Sequence, residues 1–333
     1  MSDIGVYTDK KIPVILYVTP HLSTGGLPQY LWKKIETFNS FSEIYCVEYS
    51  YYGGAFVVQR NKIESLLGDR FVAINSDGQK LESLIRDINP DIVHFEELSE
   101  TFVDEEVLKR IYSEDRSYYI YETCHSSETD PSIKIYLPDK FIMVSKWIYE
   151  KFSVLRVPSE LLEYPIEDLI PNREECLLEL GLDPCKKHVI NVGLFTQGKN
   201  QGELIEYARS LENFPIEFHF IGNQADNFNW YWNPLMENLP NNCRVWGERE
   251  DVNKFYQIAD LFVFTSKFEL NPLCVKESLS WKNEILLRKM DTYSGIYDND
   301  PRVTYLSDRE RENCFMILEI LGFVKKINEN GNQ

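Results

Sequence analysis

Two glutamates on either side of a helix start are the residues of this chain whose types and spacing could do chemistry. Glu269 and Glu277 flank the dipeptide Asn271-Pro272. Asn is a favoured N-cap residue and Pro a favoured first helical residue, so this dipeptide predicts the start of a helix. The apolar segment from Ala259 to Ser266 precedes it and predicts a buried strand. The stretch therefore reads as a strand, a loop and a helix.

The predicted helix start offers an anion site between the two carboxylates. Backbone N–H groups near Leu273 and Cys274 would point out of the helix N-terminus, where the helix dipole favours negative charge. Carboxylates accept hydrogen bonds from hydroxyls. The pattern predicts a ligand with phosphate in the middle and hydroxyls at both ends, which is the shape of a nucleotide-sugar. Taken alone, two glutamates at this spacing are better explained as solvated surface carboxylates. Whether they form a ligand site depends on the other motifs of the chain.

Strands alternate with helices along the whole chain, which predicts an α/β fold with parallel sheets covered on both faces. The principal predicted strands are Val14–Thr19, Glu43–Ser50, Phe71–Asn75, Asn89–Phe95, Ser117–Thr123, Asp139–Ser145, Glu160–Tyr164, His188–Gly193, Ile216–Gly222, Cys243–Gly247, Ala259–Ser266, Ile285–Leu287 and Val303–Tyr305. The principal predicted helices are Leu27–Phe38, Lys80–Ile88, one that runs through Phe152, Gln201–Leu211, Val252–Ile258, the helix after Asn271-Pro272, and Asp308–Asn328.

A polar, proline-containing segment from Ile166 to Lys187 divides this alternation in two. We therefore expect one domain over residues 1–165 and a second over residues 166–333, which face a cleft, with the last helix able to pack back on the first domain.

The amino-acid composition indicates which partners the protein can bind and in which compartment it works. The net charge of −18 is shared evenly between the two halves, and such a surface repels nucleic acid and anionic lipid at long range. Seven scattered cysteines form no C-x-x-C pair, which suits reduced thiols in a cytoplasm. No apolar run approaches the roughly eighteen residues of a membrane span, so we expect no transmembrane segment and a cytoplasmic protein.

The segment from Gly193 to Asn200, Gly-Leu-Phe-Thr-Gln-Gly-Lys-Asn, nearly matches the phosphate-binding P-loop, and it follows a predicted strand and precedes a predicted helix. The last position is Asn200, which lacks the hydroxyl that binds Mg²⁺ in such loops. A P-loop-like ATPase that uses Gly193 to Lys199 therefore stays as an alternative. In either case, Lys199 at a helix entrance can meet a phosphate.

Three further residues lie where α/β folds place ligands. Gly25 and Gly26 stand in the loop after the first predicted strand, and glycine allows a phosphate to approach the backbone closely. His125 follows the end of another predicted strand. Taken alone, the glycines are explained as well by a plain turn, and the histidine by a structural role as a hydrogen-bonded imidazole. No spacing of His, Asp or Glu suggests a metal site, so no metal and no cofactor are expected.

Taken together in order, these segments resemble the retaining GT-B glycosyltransferases of family 4, the group 1 glycosyltransferases. The resemblance spans nearly the whole chain and is strongest at the pair Glu269 and Glu277. Its motifs are Gly25-Gly26, Pro90-Asp-Ile-Val-His94, the strand ending at His125, Val144-Ser145, Gly193 with Lys199, Ile221-Gly222, the segment beginning at Ala259, and the two glutamates.

The resemblance implies a GT-B architecture of two Rossmann-like domains, an acceptor domain followed by a nucleotide-sugar domain. It implies a retaining, metal-independent transfer of a sugar to a hydroxyl of a glycan, a lipid-linked molecule or another acceptor. The roles it implies are catalysis by Glu269, His125 and Lys199, and donor binding by Gly25, Gly26, Asn271, Pro272, Leu273, Cys274 and Glu277. Within these roles Glu277 would hold the ribose, Glu269 the hydroxyls of the donor sugar and Lys199 the diphosphate. His125 would contact the transferred sugar.

By architecture alone, the acceptor would contact residues near Tyr51–Gly54, Glu96–Ser99 and Ser126–Asp130.

Two positions depart from the family pattern. Leu194 stands where the family usually has Arg after Gly193, so one of two diphosphate cations is missing unless Lys267 or Arg249 replaces it. Ser280-Trp-Lys-Asn283 replaces the usual small-residue segment after the second glutamate. The resemblance is thus to a divergent member of the family, and a non-catalytic protein that binds sugar-nucleotides or glycans is a further alternative.

Overall fold

The structure, a computed structural model, describes residues 12–23, 25–50, 57–224 and 228–324. The chain divides into two compact units, the first ending at Glu163 and the second beginning at Tyr164. Each unit is an α/β layer structure with its own parallel sheet.

The first unit contains seven parallel strands in the order β3-β2-β1-β4-β5-β6-β7. They are β1 (Val14–Thr19), β2 (Glu43–Glu48), β3 (Phe71–Ala73), β4 (Ile92–Phe95), β5 (Tyr119–Cys124), β6 (Lys140–Met143) and β7 (Ser159–Leu161). Its helices are α1 (Gly26–Phe38), α2 (Val58–Leu67), α3 (Gly78–Ile88), α4 (Glu105–Ile111) and α5 (Lys146–Phe152).

The second unit contains six parallel strands in the order β10-β9-β8-β11-β12-β13. They are β8 (Lys187–Val192), β9 (Ile216–Ile221), β10 (Cys243–Gly247), β11 (Leu261–Phe264), β12 (Ile285–Leu287) and β13 (Val303–Tyr305). Its helices are α6 (Arg173–Leu180), α7 (Gln201–Ser210), α8 (Asn229–Glu237), α9 (Val252–Ile258), α10 (Leu273–Ser280) and α11 (Glu310–Ile320).

Burial explains why the strands could be found in the sequence. Every residue of β11 and of β12 is buried, because helices cover both faces of a parallel sheet. Such strands are continuous apolar runs, and the predicted α/β fold with two parallel sheets is confirmed.

Strand order places one switch point in each sheet. β1 pairs with β2 on one side and β4 on the other, and β8 pairs with β9 and β11 in the same way. At such a point the connections leave in opposite directions, and the crevice at the carboxyl ends of the strands is the usual ligand position. Residues that follow β1, β4, β8 and β11 are therefore the first candidates for binding.

Gly222, just after β9, is required by a close approach of two backbones. A Cβ atom at this position would lie 2.0 Å from the carbonyl oxygen of Gly193, a contact that only a shift of the backbone could relieve. The first residues after β8 and β9 are thus packed against each other without side chains between them.

Three helices were missed in the sequence analysis. α2 and α4 are short, and α8 carries Pro234 inside it, which argues against a helix because proline lacks a backbone N–H. α11 begins at Glu310 and packs on α7, where Asn313 donates a hydrogen bond of 2.7 Å to the Tyr207 hydroxyl. α11 ends at Ile320, and residues 321–324 form turns, so the helix predicted to run to Asn328 is too long at its C-terminal end. The predicted Gly53-Gly54 turn and the proposed acceptor contribution of Tyr51 to Gly54 lie outside the described residues.

Candidate functional site

Lys199 and Glu269 meet at the switch point of the second sheet. Lys199 lies in the loop after β8, and Glu269 lies in the loop after the neighbouring strand β11. Their side chains form an ion pair, Lys199 Nζ to Glu269 Oε1. The two residues that the sequence analysis assigned to diphosphate and sugar are thus in direct contact.

Ser266 also contacts the Glu269 carboxylate. It is fully buried, and its hydroxyl donates a 2.7 Å hydrogen bond to the same oxygen, Oε1, of Glu269. Glu269 therefore has one carboxylate oxygen held by two donors. The side chain of Lys199 keeps 33% of its surface exposed and that of Glu269 keeps 11%, so solvent and a ligand can reach the pair. Burial acts to lower the pKa of Lys199, but the Glu269 carboxylate outweighs it and raises that pKa, so the ammonium is charged at neutral pH.

The start of the following helix differs from the prediction by one residue. α10 begins at Leu273, and Pro272 is its N-cap residue, because the Pro272 carbonyl accepts from the N–H groups of Val275 at 3.1 Å and Lys276 at 3.4 Å. The assignment of Asn271 as N-cap and of Pro272 as first helical residue is therefore wrong. The N-cap position is extended, and proline adopts that conformation as readily as Asn.

The loop between Glu269 and α10 is anchored on both sides. The Thr292 hydroxyl donates to the Glu269 carbonyl at 2.5 Å, and the Leu270 side chain is buried. Burial raises the pKa of the Cys274 thiol well above its usual range, so Cys274 is not a thiolate at neutral pH. Its backbone, together with that of Leu273, forms the N-terminal turn of α10, where the helix dipole favours an anion.

Glu277 lies on the second turn of α10 and is held by two tyrosine hydroxyls. Tyr164 donates to Oε1 at 3.2 Å, and Tyr256, which is fully buried in α9, donates to Oε2 at 2.9 Å. Burial, reinforced by the Glu277 charge, raises the pKa of Tyr256 well above its usual value, so the hydroxyl stays protonated and donates. The sequence analysis missed both tyrosines, since nothing in their spacing links them to Glu277.

Three predicted site residues belong to the first unit. Gly25 lies in the loop after β1, as predicted, and Gly26 is the first residue of α1, which begins one residue earlier than predicted. His125 follows β5, and its backbone N–H donates to Glu97 Oε2 at 3.3 Å. Its ring packs edge-on against Tyr30, with the ring centroids 5.2 Å apart.

Leu194 replaces the arginine that the family usually has, and Arg249 is not free to take its place. Leu194 is half-buried, and its carbonyl accepts from the Gln201 side chain at 2.8 Å. The Arg249 guanidinium makes two hydrogen bonds to Asp251, at 2.8 and 2.9 Å, and lies over the Trp246 ring. Lys267, directly after Ser266, is exposed. Among the described residues, Arg249 is paired with a carboxylate, whereas Lys267 is not.

A separate cluster of His188, Glu217 and His219 brings three possible metal-ligating atoms within 4.8 Å of one another. The sequence analysis missed it, because the residues come from the neighbouring strands β8 and β9 rather than from one motif. Trp246 Nε1–H donates to His219 Nδ1 at 3.1 Å, so the proton of His219 is on Nε2 and is donated to His188 Nδ1 at 3.0 Å. His188 Nε2–H then donates to the Asp183 carbonyl at 3.0 Å. Hydrogen bonds thus use all four ring nitrogens, and a metal could bind only by breaking this chain.

Two further sequence expectations concern thiols and membranes. All seven cysteines are unpaired in the structure. Within the described residues, no helix combines the length and apolar character that crossing a membrane requires.

Comparison with known proteins decides the fold. Residues 173–296 match the family "Glycosyl transferases group 1". HepE from Anabaena, solved in complex with UDP-glucose, superimposes with a TM-score of 0.73 at 13% identity, covering 93% of this chain and 90% of that one. Sucrose-phosphate synthase from Thermosynechococcus elongatus superimposes with a TM-score of 0.69 at 12% identity, covering 93% and 90%. The chain has the GT-B fold.

The second unit of this GT-B chain contains a group 1 glycosyltransferase domain, and the family match covers Lys199, Glu269 and Glu277. Among curated proteins, the alpha-galactosylglucosyldiacylglycerol synthase of Streptococcus pneumoniae is 26% identical over 185 residues, which are 50% of this chain. The matched region spans only about half of that relative, 48% of its length.

Proposed function

We propose that this protein is a retaining glycosyltransferase of family 4, which transfers a sugar from a nucleotide-sugar to an acceptor hydroxyl. The observation that carries the proposal is the contact of Lys199 with Glu269 at the switch point of the second sheet, next to the helix that carries Glu277. A cation, a helix N-terminus and two carboxylates in one crevice match the phosphate and hydroxyl groups of such a donor.

Each group has a role that its chemistry allows. Lys199 and the backbone N–H groups at the start of α10 would bind the diphosphate and stabilise the charge that develops on it as the sugar leaves. Glu269 would accept hydrogen bonds from the sugar hydroxyls, and Glu277 those of the ribose. Lys199 would exchange its ion pair with Glu269 for the phosphate when the donor binds. Because the protein supplies these charges itself, we propose that the transfer needs no metal.

The relatives suggest which substrates to try first. HepE was solved with UDP-glucose, so we propose UDP-sugars as the first donors to test. The Streptococcus pneumoniae relative is named for a glycosylated diacylglycerol, so lipid-linked hydroxyls join glycans as candidate acceptors. The free cysteines support a reducing compartment, and we propose the cytoplasm.

Retention at the anomeric carbon is proposed to follow a front-face route. The bond from the anomeric carbon to the donor phosphate breaks, the acceptor oxygen attacks from the same face, and the departing phosphate oxygen takes the acceptor proton. The protein then supplies no nucleophile, and its contribution is to position the substrates and stabilise the phosphate charge.

Two other functions remain to be compared with this one. A P-loop-like ATPase would use Gly193 to Lys199, but Lys199 pairs with Glu269, and the glycosyltransferase match covers this loop. A non-catalytic protein that binds sugar-nucleotides is favoured by one observation, the leucine at position 194. Binding of UDP-sugars without turnover across a broad acceptor panel would support that function.

The proposal is tested by replacing Glu269→Ala and measuring sugar transfer from radiolabelled UDP-sugars. We expect transfer to fall below detection while circular dichroism and the melting temperature stay close to those of wild type, because Glu269 makes its contacts at a partly open crevice. The matched control is Glu179→Ala, which removes another carboxylate paired with a lysine of the second unit, Lys254, at 2.8 Å. This control should retain wild-type transfer.

Two results would reject the proposal. Transfer by Glu269→Ala at close to the wild-type rate would remove Glu269 from the reaction. Mg²⁺-dependent ATP hydrolysis that is lost in Lys199→Ala would replace the transferase with the ATPase.

A further inference from the structure

A buried ion pair at the carboxyl edge of the first sheet has no role in the function proposed above. Lys34, on α1, pairs with Glu96, which directly follows β4. Their side chains are 5% and 0% exposed. Removing two charges from water costs several kcal/mol each, and an apolar pair of the same size is often as stable or more stable. A buried pair at a switch point therefore calls for an explanation other than stability.

Burial acts to lower the pKa of Lys34, whereas Glu96 and two aromatic rings favour its charge. Lys34 Nζ lies 5.1 Å and 5.2 Å from the ring centroids of Tyr17 and Tyr30, a cation–π arrangement. Burial and the Lys34 charge lower the pKa of His94, which lies 3.5 Å from Lys34 Nζ, to about 3, so His94 is neutral. Burial is the largest influence on the pKa of Glu96 and acts to raise it, but Lys34, His94 and His125 together outweigh it and hold that pKa well below its usual range. Glu96 is an ionised, immobilised acceptor.

The two oxygens of Glu96 have different partners. Oε1 binds Lys34, and Oε2 faces Nε2 of His125 at 3.5 Å. An ionised carboxylate can only accept hydrogen bonds, so the His125 nitrogen that faces it must carry a proton. In a neutral imidazole the other nitrogen, Nδ1, is then an acceptor. Within the described residues, no group is hydrogen-bonded to Nδ1, and the His125 side chain is 13% exposed.

We propose that Glu96, held by Lys34, is a positioning residue that fixes His125 as the Nε2–H tautomer, with Nδ1 presented as an acceptor for a hydroxyl of the bound sugar. The identity of the ligand rests on the function proposed above, whereas the tautomer does not. The sequence predicts a contact of His125 with the transferred sugar, and the proposal assigns the direction of that hydrogen bond. An acceptor at this position binds a hydroxyl and rejects a phosphate oxygen, which cannot donate.

The tautomer can be measured directly on the full-length protein. The chain has five histidines, and ¹⁵N-labelled histidine with long-range ¹H–¹⁵N spectra distinguishes the two neutral tautomers and the imidazolium. The His125 signals are identified by their absence in His125→Asn. At pH 7.5 we expect a protonated Nε2 and an unprotonated Nδ1. A protonated Nδ1, an imidazolium or an even mixture of tautomers would overturn the proposal.

The role of the ion pair is tested by removing it as a unit. The double variant Lys34→Met with Glu96→Leu leaves no unpaired charge, so it should fold. We expect the His125 signals to shift towards a mixture of tautomers. The matched control removes another buried Lys–Glu pair of the first unit, Lys134 with Glu122 at 2.6 Å, through Lys134→Met and Glu122→Leu. Because Lys134 also pairs with Glu100 at 2.5 Å, the control includes Glu100→Gln, and it should leave the His125 signals unchanged. Unchanged signals in the first double variant would exclude Glu96 as the positioning residue. If that variant fails to fold, the wild-type tautomer still decides the proposal.

Kinetics connect the tautomer to the reaction. The side-chain amide oxygen of Asn can occupy the place of Nδ1, whereas that of Gln reaches the place of Nε2. We expect His125→Asn to retain about tenfold more kcat/KM than His125→Gln, the value of roughly one hydrogen bond. Equal losses in the two variants would contradict an acceptor role at Nδ1. An Nε2–H tautomer in a protein that transfers no sugar would refute the proposed function and leave this inference standing. Active sugar transfer by a protein in which His125 Nδ1 is protonated would refute this inference and leave the proposed function standing.

Discussion

Two tyrosine hydroxyls hold the carboxylate oxygens of Glu277 in place, as the proposed binding of a ribose requires. Tyr256 is the better one to change, because its ring is fully buried and phenylalanine keeps its shape. We expect Tyr256→Phe to fold normally and to weaken UDP binding about three- to tenfold, since one hydrogen bond to a charged group is lost. Isothermal titration calorimetry with UDP measures this directly.

A matched control separates this effect from the general loss of a buried hydroxyl. Tyr112 in the first unit also donates to a buried carboxylate, Glu122, at 2.5 Å. Tyr112→Phe should bind UDP as wild type does. Wild-type affinity in Tyr256→Phe, or an equal loss in both variants, would show that the tyrosine does not position Glu277 for the nucleotide.

The limits of the sequence are clearest at this scale. The spacing of Glu269 and Glu277 identified the loop and helix that carry them, because helix starts and strand ends leave local signals. Ser266, Tyr256 and the Lys199–Glu269 ion pair left none. Lys199 and Glu269 are 70 positions apart, and only the pairing of β8 with β11 brings them together.

At the scale of elements, the buried strands were predicted well and the short helices were not. β1 and β12 have the predicted bounds, because a strand covered on both faces must be an apolar run. α4 has seven residues, too few for a helical period to stand out, and α8 contains a proline. The start of α10 was misplaced by one residue, since Asn and Pro are both compatible with an extended N-cap.

The contact between β8 and β9 makes the second unit sensitive to acid. Burial is the main cause that lowers the pKa of His219, to about 3, and that lowers the pKa of His188. The positive charge of Arg244 lowers the pKa of His219 further. Glu217 would favour protonation of the neighbouring histidine, but Lys186 and Arg244 pair with its carboxylate. An unfolded histidine has a pKa of about 6.5. Below that pH these histidines bind protons in the unfolded chain but not in the folded chain. Their contribution to the free energy of unfolding is therefore fully present above about pH 6.5 and is lost as the pH drops towards 3.

The magnitude follows from the shift. Lowering the pH to 5 should cost about 2 kcal/mol of unfolding free energy from His219 alone. Urea unfolding at pH 7.5 and 5.0 measures the loss. The double variant His188→Leu with His219→Leu is expected to be less stable than wild type at pH 7.5, yet to lose less on acidification, by at least about 2 kcal/mol because His188 contributes in the same direction. Parallel losses in wild type and variant would show that these rings do not titrate on unfolding.

At the scale of the whole molecule, the charge balance and the proposed ligand oppose each other. The chain carries a net charge of −18, and a nucleotide-sugar is an anion, so long-range electrostatics disfavour binding. Local groups must therefore supply the attraction. In the proposed site these are Lys199 and the N-terminus of α10, with Leu194 in place of a second cation. Such a balance makes binding specific for ligands that also satisfy Glu269 and Glu277.

A thermal-shift experiment with UDP-glucose, UDP-galactose and other nucleotide-sugars tests this balance and the absence of a metal requirement together. A ligand at a hundredfold excess over its dissociation constant stabilises the folded state by about 2.7 kcal/mol, which raises the melting temperature by several degrees. Because Lys199 and backbone N–H groups would bind the diphosphate, we expect the shift to persist in EDTA and to disappear in Lys199→Ala. Arg209→Ala, which removes an exposed cation of the same unit, should keep it. A shift that EDTA abolishes would mean that a divalent cation, and not Lys199, carries the phosphate charge.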